Sequence, residues 1–241
     1  MERPDLSGAG TIRFLSDDSF PPLTFLDGGK HPAGFVVELA RDACDRLAAR
    51  CTIQSRRFDL LLEALASGQG DVVAAAVPVT PRLLERFSVT RRYMRFPGRF
   101  AVKAGAELPQ PGEAGFAGRT VGVVAGSAHE AWMKAFFPGS PLKAYPDLAS
   151  AGAALKAGEV PYLFGDGLSL SLWLNGARSQ DCCRFTGGPY FSDAYFGEGV
   201  GFIVRRDDET LLRALDYALQ QAWADGKFEE LYLRYFPVSF F

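Results

Sequence analysis

The pattern that most restricts the fold of this chain is an alternation of strand-like and helix-like stretches that occurs twice. In its first occurrence, predicted strands at 11–16, 51–56 and 71–77 are separated by predicted helices at 34–49 and 59–67. The strands are short apolar runs, whereas the helices repeat apolar residues every three or four positions. The second occurrence has strands at 120–124, 142–145 and 160–165 and helices at 128–136, 147–157 and 167–175. Two such units in tandem predict an α/β protein with two parallel-sheet lobes, each with helices on both faces.

Composition narrows the class of protein and of partner. The 241 residues are 48% hydrophobic and 22% charged, with a formal net charge of -2. A chain of this length can form one large domain or two domains of about 100 residues. The near balance of charge argues against nucleic acid or an anionic membrane as the main partner. No signal-peptide pattern precedes Thr11, so we expect either a cytosolic protein or a chain from which a leader has been removed.

The cysteines leave two interpretations open. Cys44 and Cys51 lie seven positions apart, and Cys182 and Cys183 are adjacent. Neither spacing forms a CxxC motif or a zinc site, and two histidines are too few to complete one, so we expect no metal ion. The cysteines are either buried thiols, or a sign of an oxidising compartment with a Cys44–Cys51 disulfide.

Polar and conformationally restricted residues follow the predicted strands, where open α/β sheets bind their ligands. The stretch "SDDSFPP" after the first strand places acids and an aromatic ring beside two rigid prolines. Loops of this kind in both lobes predict a ligand cleft between them. Asp166 keeps a second interpretation, because it can simply cap the helix that begins at 167. The candidate ligand-binding residues of these loops are Asp17, Phe20, Ala76, Pro78, Arg82, Ser127, His129 and Asp166.

Several segments, in order and nearly end to end, resemble one known family. "IRFLSDDSFPPLTF" resembles its opening strand and aromatic-Pro-Pro step, and "RTVGVVAGSAHEAWMKAFFP" resembles the entry to its second lobe. "LKAGEVPYLFGDG" resembles the segment that places an aspartate in the cleft, and the stretch from "GFIVRRDDE" onward resembles the family's C-terminal part. The chain is therefore similar to the family 3 extracellular solute-binding proteins of amino-acid ABC transporters.

The resemblance implies a type II periplasmic-binding-protein fold that closes on a small molecule by a hinge. Lobe 1 would comprise residues 1–97 and 197–241, lobe 2 would comprise residues 98–196, and two crossovers would join them. A disulfide between Cys44 and Cys51 matches one found in many members. The resemblance further implies a periplasmic monomer that needs no cofactor and that meets a membrane ABC permease.

The resemblance also assigns roles to the candidate residues of the first lobe. Phe20 would stack on the ligand, and Asp17 would lie at the cleft mouth and meet a cationic end. Phe58 would form a second aromatic wall, although it can instead pack on Leu61 and Leu62 as an ordinary core residue.

In the second lobe, the resemblance assigns the two ends of an amino acid to different residues. The Ser127 hydroxyl and the helix N-terminus behind it would suit a carboxylate. Asp166 would accept the α-ammonium group, with His129 nearby.

One departure from the family puts an amino-acid ligand in doubt. Three positions after Thr80, where amino-acid binders carry an arginine that grips the ligand carboxylate, this chain has Leu83. Arg82 and Arg86 lie nearby, and either would have to bend in to restore that grip. Pro78 offers no N–H where a small polar residue usually helps.

A second departure is the pair Arg91 and Arg92, which stands before Tyr93 where the family usually has Asp-Pro. This rim is therefore unusually basic. Together the departures favour a receptor for a small, amine-bearing solute, an amino acid or a derivative, and predict that amines or modified amino acids bind better than the standard twenty. Two alternatives remain: a ligand-sensing domain, and a periplasmic dehydratase in which Asp166 with Glu198 or His129 would supply acid and base.

Overall fold

The computed structural model describes Pro4 and residues 10–106, 113–236 and 239–240. The chain divides into two compact units, and the chain passes between them near residues 95–96, 197–198 and 236–237. The predicted lobes placed the C-terminal residues with the first unit, whereas the buried Phe240 packs in the second unit. Its carbonyl oxygen there accepts a hydrogen bond from Arg99 Nη1 at 3.1 Å. Unit 1 comprises Met1–Arg95 and Glu198–Phe236, and unit 2 comprises Phe96–Gly197 and Pro237–Phe241.

Unit 1 is built on a mixed sheet with the strand order β5-β1-β6-β13-β7. β1 pairs in parallel with β5 and β6, whereas β13 runs antiparallel to β6 and β7. A small antiparallel sheet, β2-β3-β4, follows β1. The elements are β1 (Ile12–Ser16), β2 (Ser19–Phe20), β3 (Thr24–Leu26), β4 (Pro32–Ala33), α1 (Phe35–Leu47), β5 (Cys51–Ser55), a 3-10 turn (Phe58–Leu60), α2 (Leu61–Ala66), β6 (Val72–Val73), α3 (Pro81–Arg86), β7 (Phe87–Val89), β13 (Ile203–Arg205), α9 (Glu209–Ala224) and α10 (Lys227–Tyr235).

Unit 2 is built on a second mixed sheet, with the order β10-β9-β11-β8-β12. β9 pairs in parallel with β10 and β11, and β8 is antiparallel to β11 and β12. The elements are β8 (Gly98–Lys103), α4 (Glu113–Phe116), β9 (Val121–Val124), α5 (Ala128–Phe136), β10 (Leu142–Tyr145), α6 (Leu148–Ala157), β11 (Tyr162–Asp166), α7 (Gly167–Leu174), β12 (Cys183–Tyr190) and α8 (Asp193–Phe196).

The alternation of side chains along β11 shows that helices cover both faces of the unit 2 sheet. Tyr162 and Phe164 pack in one apolar cluster with Trp132 of α5, while Leu163 packs in a different cluster with Leu155 of α6. Successive side chains of a strand point to opposite faces, so each cluster fills one side of the sheet. The predicted α/β class with helices on both faces is confirmed here.

The predicted parallel pairing is present in both sheets, and each sheet also contains antiparallel strands that the sequence did not reveal. β7 and β13 have three residues each, too few to show a clear period. The strand expected at 71–77 is also shorter, since ladder pairing covers only Val72–Val73. Beyond it, Ala74 still donates to the Leu15 carbonyl oxygen (2.8 Å), but β1 ends at Ser16 and offers no further partner.

The disulfide implied by the family resemblance is confirmed. Cys44, in the last turn of α1, is bonded to Cys51, the first residue of β5. Cys182 and Cys183, whose pairing the sequence left open, form a second disulfide at the start of β12. Among the helices that the structure describes, none has the length and apolar character that crossing a membrane requires.

Candidate functional site

The loop after β1 is held together by Asp17. Its Oδ2 accepts hydrogen bonds from the Ser19 amide (3.1 Å) and hydroxyl (2.7 Å), and its Oδ1 accepts one from the Thr24 hydroxyl (2.7 Å). Only 1% of Asp17 is exposed. The sequence analysis expected Asp17 at the cleft mouth, meeting a cationic end, and in this structure the fold itself uses both oxygens of its carboxylate. The exposed acid of this loop is Asp18, whose Oδ2 accepts from the Ser55 hydroxyl at 3.0 Å.

Two aromatic rings stand open at the carboxyl edge of the unit 1 sheet. Phe20 lies just beyond β1 and is 40% exposed, and Phe58 lies just beyond β5 and is 45% exposed. β1 and β5 are parallel neighbours, so their carboxyl ends share one edge of the sheet. A core role for Phe58 would bury its ring, and the observed exposure instead favours an open aromatic surface.

The segment after β6 places its candidates in different surroundings. Ala76 is half-buried and Pro78 is exposed. The side chain of Leu83 is 7% exposed and packs in the core cluster of unit 1. The Leu83 amide donates a hydrogen bond to the Thr80 hydroxyl, which caps α3. At the position where the family resemblance predicts an arginine, this chain therefore has a leucine that packs in the core of unit 1.

The two arginines of α3 differ in where they point. Arg82 is exposed and forms no ion pair with any described residue. Arg86 has its Nη2 3.8 Å from Glu63 Oε2 and its guanidinium 5.3 Å from the Phe87 ring centroid. Phe87 pairs with Arg205 at the edge of the sheet where β6 begins, opposite to the carboxyl ends of β1 and β6. Arg86 is thus directed away from Phe20 and Phe58.

The N-terminus of α5 is capped by its own residues. The Ser127 hydroxyl accepts a hydrogen bond from the Glu130 amide (3.1 Å), while Glu130 Oε2 accepts one from the Gly126 amide (2.7 Å). The arrangement is a variant of the capping box in which the glutamate accepts from the amide before the N-cap, and the Ser-x-x-Glu spacing at 127–130 is its sequence signal. Ser127 is the N-cap of this helix, which spans 128–136 as predicted. The first-turn amides of Ala128 and His129 remain without an intrahelical acceptor.

Asp166 ends β11 and caps α7 with only one of its two oxygens. Oδ1 accepts hydrogen bonds from the Ser169 amide and hydroxyl, both at 2.7 Å. Oδ2 makes no hydrogen bond with any described residue. The two interpretations of Asp166 are compatible, since the cap fixes the carboxylate and leaves one oxygen open. Ser169, which the sequence analysis missed, lies at the N-cap spacing of three residues.

His129 lies beside Asp166 in an aromatic setting. Its imidazole stacks on Phe196 with ring centroids 4.5 Å apart, and it meets the edge of Phe164 at 5.9 Å. Nε2 is buried without a hydrogen-bond partner among the described residues. Burial lowers the pKa of His129, and the charge of Asp166 offsets this only in part. A neutral imidazole at neutral pH leaves the negative charge of Asp166 uncompensated.

The remaining acid considered in the sequence analysis, Glu198, is engaged elsewhere. Its Oε2 accepts a hydrogen bond from Arg92 Nη2 at 2.7 Å, and both residues belong to unit 1. Within the described residues, no three or more His, Cys, Asp or Glu side chains cluster in a way that could hold a metal ion.

Comparisons with known proteins agree on the type of chain. Residues 12–238 match the family model described as bacterial extracellular solute-binding proteins, family 3. The L-arginine-binding protein of Pseudomonas aeruginosa is 27% identical over 244 residues, covering 99% of this chain and 93% of that protein. The lysine/arginine/ornithine-binding periplasmic protein of Escherichia coli is 25% identical over 231 residues, covering 95% of this chain and 88% of that protein.

Solved structures share the fold at lower sequence identity. The L-cystine solute receptor of Neisseria gonorrhoeae superposes with a TM-score of 0.84 at 19% identity, covering 95% of this chain and 93% of the receptor. The second substrate-binding domain of GlnP from Lactococcus lactis gives a TM-score of 0.82 at 17% identity, with coverages of 95% and 96%.

Proposed function

This chain belongs to the family 3 bacterial extracellular solute-binding proteins, and from that membership we propose that it captures a small, amine-bearing solute in the periplasm for an ABC importer. We also propose that it works as a monomer and without a cofactor. Relatives of this chain are named for binding arginine, lysine, ornithine and histidine, all of which carry amine or other cationic groups.

The observation that carries this proposal is the half-used carboxylate of Asp166. Ser169 holds Oδ1 through two hydrogen bonds, so the group is oriented before any ligand arrives. The open Oδ2 is suited to an ammonium group, because a charge-assisted hydrogen bond contributes about 1.5–3 kcal/mol. The neutral imidazole of His129 beside it does not compete for that charge.

Phe20 and Phe58 support a cationic ligand. Both rings are open, and an ammonium or guanidinium group over an aromatic face gains about 0.5–2 kcal/mol. We propose both as ligand contacts, with Asp17 acting indirectly by fixing the loop that carries Phe20.

The contacts available to a carboxylate are weaker. Leu83 lies in the core of unit 1, and Glu130 already occupies the Gly126 amide at the start of α5. The first-turn amides near Ser127 and the exposed Arg82 are the remaining donors that we propose for it. Ala76 and Pro78, which follow β6, would line the carboxyl edge of the unit 1 sheet and contribute no charge.

We propose that the chain does not turn over its ligand. An acid–base pair of Asp166 with Glu198 is disfavoured, because Glu198 is held by Arg92. The family consists of binding proteins, which also makes the dehydratase alternative the weaker one.

The test is calorimetry of the purified protein against arginine, lysine, ornithine, histidine, their decarboxylated amines and a set of neutral amino acids. We expect cationic amines to bind at micromolar or lower Kd and to be recovered unchanged by mass spectrometry. Preferred binding of neutral or acidic solutes, or chemical conversion of a bound one, would contradict the proposal.

A further inference from the structure

Unit 1 contains a small surface cavity, which we call the Trp223 pocket. It is a cavity of about 210 Å³ lined by Arg91, Arg92, Tyr93, Leu219, Gln220 and Trp223. Small-molecule sites usually enclose about 300–1,000 Å³, so this one has the size of a side chain rather than of a whole solute. It lies between α9 and the segment that follows β7.

The pocket is a fixed feature of unit 1. The Arg91 amide donates to Asp216 Oδ1 at 2.7 Å, which ties the segment after β7 to α9. The buried side chains of Tyr93 and Leu219 form its floor. The indole of Trp223 stacks on the buried Phe228 with centroids 4.0 Å apart, yet 57% of Trp223 remains exposed. An exposed tryptophan held rigid in this way is typical of a protein–protein contact.

The unpaired positive charge of the pocket favours an anionic occupant. Arg91 is exposed, and its guanidinium pairs with no acid among the described residues. The Tyr93 hydroxyl is buried and its ring packs against Phe35 and Phe202, so Tyr93 contributes apolar surface to the floor of the pocket.

The second arginine connects the pocket to the chain segments that lead to unit 2. Arg92 lies three residues before the end of the first unit 1 segment, and its partner Glu198 is the first residue of the second unit 1 segment. Next to this ion pair, the Tyr93 amide donates to Val200 O (3.0 Å) and the Val200 amide donates to Met94 O (2.9 Å). A carboxylate that enters the pocket would compete with Glu198 for Arg92.

We propose that the Trp223 pocket docks an acidic segment of a partner protein, in which a carboxylate beside an aromatic or apolar side chain meets Arg91, Arg92 and Trp223. An anionic membrane is the weaker occupant, since the surface is concave and Asp216 and Glu198 lie beside its two arginines. This proposal rests on the proposed function, under which the membrane component of the importer would present such a segment. Docking would then weaken the Arg92–Glu198 ion pair, which lies where the chain passes between the two units.

The probe is the capped peptide acetyl-Glu-Phe-Glu-amide, titrated into the full-length protein at low salt and followed by NMR of the backbone amides around Tyr93 and Leu219. We expect saturable shifts, and binding at least fivefold weaker for the Gln-Phe-Gln analogue. Arg91→Ala and Trp223→Ala should each weaken binding at least threefold. Arg213→Ala, which removes an exposed arginine from the same helix, should leave it unchanged.

Glu198→Gln tests the competition for Arg92. Because this variant frees Arg92 from a half-exposed ion pair, it should tighten peptide binding by about twofold to fivefold. Equal binding of the two peptides, or no loss with Trp223→Ala, would overturn the proposal. So would binding to phosphatidylglycerol vesicles that depends on Arg91 and Trp223 while the peptide does not bind. Solute calorimetry on Arg91→Ala separates the docking proposal from the proposed function. Loss of peptide binding with unchanged solute affinity concerns docking alone, whereas a protein that binds the peptide but no amine solute contradicts only the proposed function.

Discussion

Two aspartates that close strands of this protein differ in how many of their oxygens the fold uses. Asp17 gives both oxygens to Ser19 and Thr24, whereas Asp166 gives one oxygen to Ser169 and keeps the other open. In sequence they look alike, because each stands at the carboxyl end of a strand. What separates them is Thr24, seven residues from Asp17 and on a different strand, and such a contact depends on the tertiary fold.

Asp166→Asn should weaken the best amine ligand by about tenfold or more. Asparagine still caps α7, but it loses the negative charge that meets an ammonium group, and that hydrogen bond contributes about 1.5–3 kcal/mol. The matched control is Asp147→Asn, which changes the exposed N-cap of α6 in the same unit. Calorimetry of both variants should show lost affinity only for Asp166→Asn, and equal affinities would remove Asp166 from the site.

Asp17→Ala should lower the free energy of unfolding by about 2–4 kcal/mol, because it leaves the buried Thr24 hydroxyl unpaired and removes both hydrogen bonds that hold Ser19. It should also weaken ligand binding, since the same loop carries Phe20. Asp18→Ala is the comparison, because Asp18 is exposed and accepts a single hydrogen bond from Ser55, so its removal should change stability by less than about 0.5 kcal/mol. Urea unfolding distinguishes the two, and similar losses would mean that the Asp17 contacts are not formed.

At the scale of the element, local sequence signals predicted helix bounds and helix caps well. The same signals did not predict which strands pair or in which direction they run. The bounds of α5 and the Asp166 cap of α7 could be predicted, because they depend on a few neighbouring residues. The direction of β13 was not, since it is set by distant strands. The inward turn of Leu83 was missed for a related reason: a six-residue helix has too little periodicity to say which face packs on the core.

The start of β6 is bound to its neighbours through one carboxylate. Asp71 Oδ2 accepts from the Arg13 amide and Nε, both at 2.9 Å, and Oδ1 accepts from Arg13 Nη2 at 2.8 Å and Arg205 Nη2 at 3.2 Å. Burial alone would raise the pKa of Asp71, but these hydrogen bonds outweigh it and lower the pKa to about 2. β1, β6 and β13 are therefore held together by an ionised group.

Asp71→Asn should reveal this contribution as a pH-dependent loss of stability. A carboxyl whose pKa is lower in the folded state stabilises the fold above its unfolded pKa, near 3.9, and loses that effect as the pH falls through about 2. Allowing for partial exposure, we expect the variant to be about 1–2 kcal/mol less stable than wild type at pH 7. The difference should shrink between about pH 4 and pH 2 in urea unfolding followed by circular dichroism. Asp45→Asn, an exposed acid on α1, should show no such trend, and a gap independent of pH would contradict the argument.

At the scale of the whole molecule, the groups suited to a cation and those suited to a carboxylate differ in how well they are organised. The groups suited to a cation are well organised: Asp166 is oriented by Ser169, and Phe20 and Phe58 are open. The groups suited to a carboxylate are not, because Leu83, at the position where the family resemblance predicts an arginine, packs in the core. A receptor built in this way should depend on the amine of its ligand far more than on the carboxylate.

Arginine and its decarboxylated form, agmatine, separate these two contributions. If no arginine side chain grips the carboxylate, the two compounds should bind within about tenfold of each other, and lysine and cadaverine likewise, since a lost bidentate fork would cost about 1.5 kcal/mol or more. Calorimetry of both pairs, on wild type and on Arg82→Ala, measures this directly. The contrary result is a preference for arginine over agmatine of well more than tenfold that Arg82→Ala abolishes. That result would mean that Arg82 bends in and binds the ligand carboxylate. A preference that survives in Arg82→Ala would place the carboxylate at the first-turn amides of α5.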